Sequence, residues 1–200
     1  MSKEPIIIVG GEPNSIFLEI FFKSINANIY KSPLIIIVSK KLLQEQMKKL
    51  GFNFKINDVD KKIKNFSKLD NSKINLINVD YEFKKCFEKI TNKSNKYIDE
   101  TFKVALNIIK LNNLSKFING PISKKPFLKG KSLGITEYLA KKTKSNKVAM
   151  LIFNKDLAVS PLTTHLALKD VHKKITKKKY TLRLISLIIF IKKNLKNFQE

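Results

Sequence analysis

Two short, unbroken apolar runs limit what this chain can fold into more than any other feature of it. Pro5-Ile6-Ile7-Ile8-Val9 ends on Gly10-Gly11, and Leu34-Ile35-Ile36-Ile37-Val38 follows some twenty-five residues later. Runs rich in β-branched residues and lacking polar alternation suit strands covered on both faces, as in a parallel sheet. Each run is followed by a helical pattern. After the first, Asn14 or Ser15 is placed to cap a helix whose stripe is Ile16, Ile20 and Ile25. After the second, Leu42, Leu43, Met47 and Leu50 form a stripe that stops at Gly51. Two strand-then-helix units within fifty residues indicate the α/β class.

Residues 52 to 96 are dense in Lys, Asn and Asp and carry one clear strand signal, Ile74 to Val79. From Tyr97 a helix is expected with Ile98, Phe102, Ala105 and Ile109 on one face. Asp99 and Glu100 then lie in its first turn, where the helix dipole favours negative charge. The strand Phe117-Ile118 should follow, and Asn119-Gly120-Pro121-Ile122-Ser123-Lys124 breaks the pattern at its carboxyl end. Open α/β sheets place ligand groups there. Beyond it the sequence predicts a helix around Ile135 to Lys142 and strands at Lys147 to Phe153 and Leu157 to Ser160. A helix with the stripe Leu168, Val171 and Ile175 comes next, capped by Thr163 or Thr164, and a final helix runs from about Tyr180 to Asn197. Leu184 to Ile191 falls well short of the roughly 18 apolar residues a membrane span needs, and reads as a buried helix.

Composition narrows the function. With 200 residues, 43% of them apolar, the chain has material for one large domain or two small ones, and six Gly and six Pro exclude a collagen-like or low-complexity architecture. Forty Lys and Arg against sixteen Asp and Glu give a net charge of +24, a footprint that nucleic-acid binders share. Only Arg183 among the forty is arginine, whereas base and phosphate recognition leans on the bidentate guanidinium. A solvated lysine coat is therefore the stronger reading, with no nucleic-acid partner expected and a basic nucleic-acid-binding protein kept as the alternative; the field would still steer an anionic small molecule. A single cysteine, Cys86, cannot form an internal disulfide, and the amino terminus lacks a signal-peptide pattern, so a cytoplasmic setting without membrane attachment is expected.

Neither a GxGxxG nor a GxxxxGK[ST] segment is present. Gly10-Gly11-Glu12-Pro13 stands between a strand and a helix, where free backbone N–H groups could hold an anion or the glycines could simply make a tight turn. His165 and His172 are seven residues apart on one expected helix, about 10.5 Å along its axis, too far to share a metal. His172, followed by Lys173 and Lys174, reads as solvent-facing. His165 sits at a strand-to-helix junction after two hydroxyl residues, where α/β enzymes place catalytic or metal-binding groups.

Three segments, taken in order, resemble the 4-hydroxythreonine-4-phosphate dehydrogenase family of pyridoxal phosphate biosynthesis. Ile8-Val9-Gly10-Gly11-Glu12-Pro13 through Glu19-Ile20 is similar to its amino-terminal G-E-P-x-G-I-G-P-E-I. Gly120-Pro121-Ile122-Ser123-Lys124, followed by Gly134-Ile135-Thr136-Glu137-Tyr138-Leu139-Ala140, resembles G-P-[IV]-x-K with G-H-T-E-x-L-A downstream. Thr163-Thr164-His165-Leu166-Ala167-Leu168-Lys169-Asp170-Val171 is close to T-T-H-x-P-L-x-D-V.

The resemblance implies an isocitrate/isopropylmalate dehydrogenase-like α/β fold, with residues 1-200 forming the amino-terminal portion of a two-lobed enzyme. The lobes would part near 120-135, and the fold would be incomplete at its carboxyl-terminal end. It also implies oxidation of the secondary hydroxyl of 4-phosphooxy-threonine by NAD and loss of CO₂ to give 3-amino-2-oxopropyl phosphate. A divalent metal, zinc, magnesium or cobalt, would assist by easing loss of the hydroxyl proton. His165 would be one metal ligand, Thr136 and Lys124 would bind the phosphorylated substrate, and the complete enzyme would be a homodimer. The chain departs from the family in two places. Ile135 stands where the family has a substrate-binding His, and Ser15-Ile16-Phe17-Leu18 replaces the glycines and proline of the first motif. Ile135 leaves room for a related dehydrogenase acting on another phosphorylated hydroxy acid.

Overall fold

The computed structural model describes residues 4–27, 29–123, 127–128, 134–145, 148–154, 156–164 and 166–194. The chain divides into two compact units, residues 1–129 and 130–200.

The first unit is a five-stranded sheet in which every pairing is parallel. Its strands are β1 (Ile6–Val9), β2 (Leu34–Val38), β3 (Ile56–Asp58), β4 (Ile74–Asn78) and β5 (Phe117–Asn119), in the order β3-β4-β2-β1-β5. The two apolar runs form neighbouring central strands, and all five residues of β2 are buried. Helix α1 (Phe17–Asn26) joins β1 to β2, α2 (Lys40–Lys49) follows β2, and α3 (Asn95–Asn112) precedes β5. From β1 the chain works toward the β3 edge, then returns through α3 to place β5 on the far side of β1. The direction of winding therefore reverses between β1 and β5, the position at which open sheets leave a crevice beyond their carboxyl ends.

Several expectations are corrected in this unit. Helix α1 does not bury Ile16 and Ile20, which are 64% and 50% exposed; it buries Leu18, Phe21 and Phe22. Apolar residues occupy both phases of this segment, and the phase that buries two aromatic rings removes more area from water. Phe22 packs against Phe21, Phe52 and Phe54 with ring centroids 6.1, 5.4 and 6.2 Å away. No side chain caps α1 at Ile16; Ser15 instead closes the preceding turn, its hydroxyl donating to the Glu12 carbonyl (2.7 Å) and accepting from the Phe17 N–H (3.3 Å). Helix α3 starts at Asn95, so Asp99 and Glu100 lie beyond its first turn and reach Lys103 at 3.2 and 3.5 Å. Its buried face carries Ile108, while Ile109 is half-buried. Strand β3 carries a single apolar residue in three and has no sequence signature.

The second unit contains α4 (Ile135–Thr143), an antiparallel pair β6 (Ile152–Phe153) and β7 (Ala158–Val159), α5 (Leu168–Lys174) and α6 (Lys177–Asn194). The two strands expected here shrink to two residues each. Helix α5 begins after Ala167 without a side-chain cap, so Thr163 and Thr164 are not its caps; Leu168 is 88% exposed, and Ile175 lies past its end. The segment Leu184 to Ile191 is helical, but it is not buried: Leu184, Ile185, Ile188, Ile189, Phe190 and Ile191 are exposed. Among the described residues, no helix is long and apolar enough to cross a membrane.

Candidate functional site

In an all-parallel sheet the carboxyl ends of all strands share one edge, so the segments following β1, β2, β4 and β5 gather there. At the reversal point two of them cross backbone to backbone. The Gly120 N–H donates to the Val9 carbonyl (2.7 Å), and the Glu12 N–H donates to the Pro121 carbonyl (2.8 Å). A Cβ on Gly11 would lie 2.3 Å from the Pro121 oxygen, and one on Gly120 would lie 2.2 Å from the Gly10 oxygen. Gly11 also has a φ of +72°, which favours glycine. This crossing decides the reading of the Gly-Gly turn. Two of its amides face protein: Gly10 N–H approaches the Ile37 carbonyl (3.4 Å), and Glu12 N–H is taken by Pro121. These two amides serve the crossing rather than an anion, and the turn acts as a packing device.

Sequence reasoning gave Glu12 no role. It is 3% exposed, unusual for a carboxylate. The Ser94 hydroxyl donates to its Oε2 (2.9 Å), and the Asn14 N–H approaches its Oε1 (3.4 Å). Ser94 immediately precedes α3, which has no acidic residue in its first turn; Glu12 brings a carboxyl group to that helix end from another element. The turn is tied further by Gln46 of α2, whose Nε2 donates to the Pro13 carbonyl (2.8 Å), and by the Glu88 N–H, which donates to Asn14 Oδ1 (3.1 Å). Beside it, Tyr81 and Tyr97 pack with centroids 4.7 Å apart, and Tyr97 Oη accepts from the Ser39 N–H at 3.0 Å. Burial pushes both phenols up, and the carboxylates of Glu12 and Glu88 add to the shift at Tyr81. A groove along this edge is lined by Ser39, Lys40, Lys41, Gln44, Asn78, Asp80, Tyr81, Glu82 and Phe83.

Burial also raises the Glu12 carboxyl above the ordinary carboxylate range, and the Ser94 hydroxyl and Asn14 N–H pull it partway back. The folded chain thus keeps this proton to higher pH than the unfolded chain. The resulting contribution to stability is complete below the ordinary carboxylate pKa and is lost as pH rises through the raised value. Denaturant titrations of wild type and Glu12→Gln between about pH 4 and pH 8 should show wild type losing stability relative to the variant as pH rises. A constant difference would contradict the shift.

Of the residues singled out from the sequence, Thr136 is the second residue of α4 and half-buried, with Ile135 and Glu137 beside it in the same first turn. Lys124 and His165 lie outside the described residues. His172 is exposed, as expected. Thr163 and Thr164 line a groove of the second unit together with Lys174, Lys179, Arg183 and Ser186, and Arg183 Nη1 donates to the Val148 carbonyl (3.1 Å). Among the described residues, no three His, Cys, Asp or Glu side chains come together in a way that could hold a metal. A signal for Gln46 was present in the sequence, as a polar residue on the Leu42, Leu43, Met47 stripe.

Comparison with known proteins gives a consistent result. The sequence model of the family described as "Pyridoxal phosphate biosynthetic protein PdxA" matches residues 30–199. A 4-hydroxythreonine-4-phosphate dehydrogenase of Sulfurihydrogenibium sp. (strain YO3AOP1) is 31% identical over 177 residues, covering 87% of this chain and 53% of the relative. The enzyme of the same name from Colwellia psychrerythraea is 30% identical over 175 residues, 86% of this chain and 52% of the relative. The chain thus spans about half the length of these relatives. Crystal structures of 4-hydroxythreonine-4-phosphate dehydrogenases share the fold. That from Burkholderia phymatum gives a TM-score of 0.78 at 21% identity over 92% of this chain and 57% of the other; that from Klebsiella pneumoniae gives 0.80 at 18% identity over 95% and 60%.

Proposed function

Because the chain belongs to the pyridoxal phosphate biosynthetic protein PdxA family, we propose that it serves vitamin B6 biosynthesis as the amino-terminal part of a 4-hydroxythreonine-4-phosphate dehydrogenase. The observation that carries this reading is 31% identity to an enzyme of that name, sustained over 87% of the chain. In the proposed reaction the secondary hydroxyl of 4-phosphooxy-threonine loses its proton and its carbon gives a hydride to NAD. The resulting β-keto acid releases CO₂ to leave 3-amino-2-oxopropyl phosphate. A homodimer, a cytoplasmic setting, the isocitrate/isopropylmalate dehydrogenase-like form of the fold and a parting of lobes near 120-135 belong to the same reading.

The cofactors divide from the substrate on the fit of the residues. One imidazole, His165, cannot hold zinc, magnesium or cobalt alone; the described residues supply no three-donor set, and at the Gly-Gly turn the Gly10 and Glu12 amides are taken by backbone carbonyls. Donors beyond the described residues would have to complete the metal site. This chain's own part is to hold the substrate. Thr136, in the first turn of α4, offers a hydroxyl to a polar group of the substrate, and Lys124, in the segment leaving Pro121, offers a cation to its phosphate or carboxylate. Ile135 beside Thr136 offers no hydrogen bond, and it favours, as the second reading, a different phosphorylated hydroxy acid.

Calorimetric titration of the 200-residue chain with 4-phosphooxy-threonine and a panel of other phosphorylated hydroxy acids tests this. The expected result is saturable binding that prefers 4-phosphooxy-threonine. Lys124→Ala should weaken it by about 10- to 100-fold, the loss of a charge-assisted hydrogen bond, and Thr136→Val by about 2- to 10-fold. Tighter binding of another acid would replace the substrate assignment, and indifference to both substitutions would overturn the site.

A further inference from the structure

The turn after β1 and the segment after β5 are bound to each other through Glu12, and the Glu12 carboxylate takes no part in the substrate contacts proposed above. Its backbone N–H holds the Pro121 carbonyl at 2.8 Å, and its own carbonyl accepts from Ser15 N–H (3.1 Å) and Ser15 Oγ (2.7 Å). Its side chain is fixed from the opposite direction by the Ser94 hydroxyl at 2.9 Å. One residue therefore connects the start of α3, the β1 turn and the exit of β5. Flanking glycines make the contact too close to slide: Gly11 and Gly120 each leave no space for a Cβ beside the other segment.

We propose that Glu12 is a positioning residue, its buried carboxyl clamped to Ser94 so that the Gly120–Ser123 segment leaves the sheet in one fixed conformation. The link to substrate rests on the reading of Lys124, next in sequence after Ser123, as a substrate cation. The Ser94 hydroxyl has one proton and two acceptors in reach, Glu12 Oε2 at 2.9 Å and the Thr91 carbonyl at 3.2 Å. A glutamine at position 12 fits the same clamp. Its amide would donate to Ser94 Oγ, the hydroxyl would turn to Thr91, and the amide oxygen would accept from the Asn14 N–H. Alanine leaves the clamp empty.

Hydrogen exchange resolved by residue on the full chain tests the role. In Glu12→Ala, protection at the amides of residues 12 and 120 should fall by about tenfold or more, while β2 and β4 keep theirs. Glu12→Gln should restore it, and Ser94→Ala, a milder change, should reproduce part of the loss. In the same variants the affinity for 4-phosphooxy-threonine should fall in Glu12→Ala and recover in Glu12→Gln. Wild-type protection at residues 12 and 120 in both Glu12→Ala and Ser94→Ala would overturn the inference. So would an equal loss of protection throughout the sheet in Glu12→Ala, since that describes a merely structural residue. If the segment loosens as expected but wild type binds no 4-phosphooxy-threonine, the substrate assignment falls and the positioning role stands.

Discussion

Gly11→Ala should destabilise the chain by about 3 kcal/mol or more, whereas the same change at Gly51 should lower stability by about 1 kcal/mol. The two glycines share a backbone conformation, with φ of +72° and +73°, so the conformational penalty for an L-residue is common to both. They differ in their surroundings. A Cβ on Gly51 meets nothing within 4 Å, but one on Gly11 meets the Pro121 oxygen at 2.3 Å and the Gly120 carbonyl carbon at 2.8 Å. Those neighbours are backbone and cannot rotate away, so β1 and β5 must separate. Gly120→Ala, directed at the Gly10 oxygen at 2.2 Å, should behave like Gly11→Ala. Urea denaturation gives the comparison directly, and equal losses at Gly11 and Gly51 would mean that the two segments do not cross as described.

Phe22→Ala should lower stability by about 3–5 kcal/mol. The ring is fully buried, and it sits among Phe21, Phe52 and Phe54 beneath the sheet residues Ile8, Leu34 and Ile36 of the same core. Truncation removes apolar area and leaves a cavity that three rigid rings fill poorly. Ile20→Ala, on the exposed side of the same helix, should stay within about 0.5 kcal/mol of wild type. The pair tests which phase of α1 faces the sheet. A large loss at Ile20 with a small one at Phe22 would restore the stripe read from the sequence.

That stripe shows where the sequence was legible. The runs at Ile6–Val9 and Leu34–Val38 are unbroken, apolar and rich in β-branched residues, and the segment Ile74–Asn78 carries Ile74, Leu76 and Ile77; each is a parallel strand. In Ile16-Phe17-Leu18-Glu19-Ile20-Phe21-Phe22, two helical phases are both apolar, so periodicity could not choose between them; aromatic packing with Phe52 and Phe54 did. In Ile56-Asn57-Asp58 the strand exists because β4 lies beside it, a tertiary cause that leaves no local trace. The glycines at 10, 11 and 120 were visible as loop markers, but their fit to one another depends on the order in which β1 and β5 come together. Glu12 was visible only as a letter in a motif. A carboxylate defaults to the surface in any reading of composition, and its burial follows from Ser94, eighty-two residues away in sequence. The helix expected around Ile135 to Lys142 is present as α4, with Thr136 in its first turn, whereas the expected caps Thr163 and Thr164 line a groove instead.

The most direct measurement is a ¹⁵N chemical-shift titration of the 200-residue chain with 4-phosphooxy-threonine. The substrate-binding role proposed for Thr136 predicts saturable shifts at Thr136 and its neighbours in the first turn of α4, weakened in Thr136→Val. Shifts confined to the groove from Ser39 to Phe83, or no saturable shifts at any concentration, would contradict it.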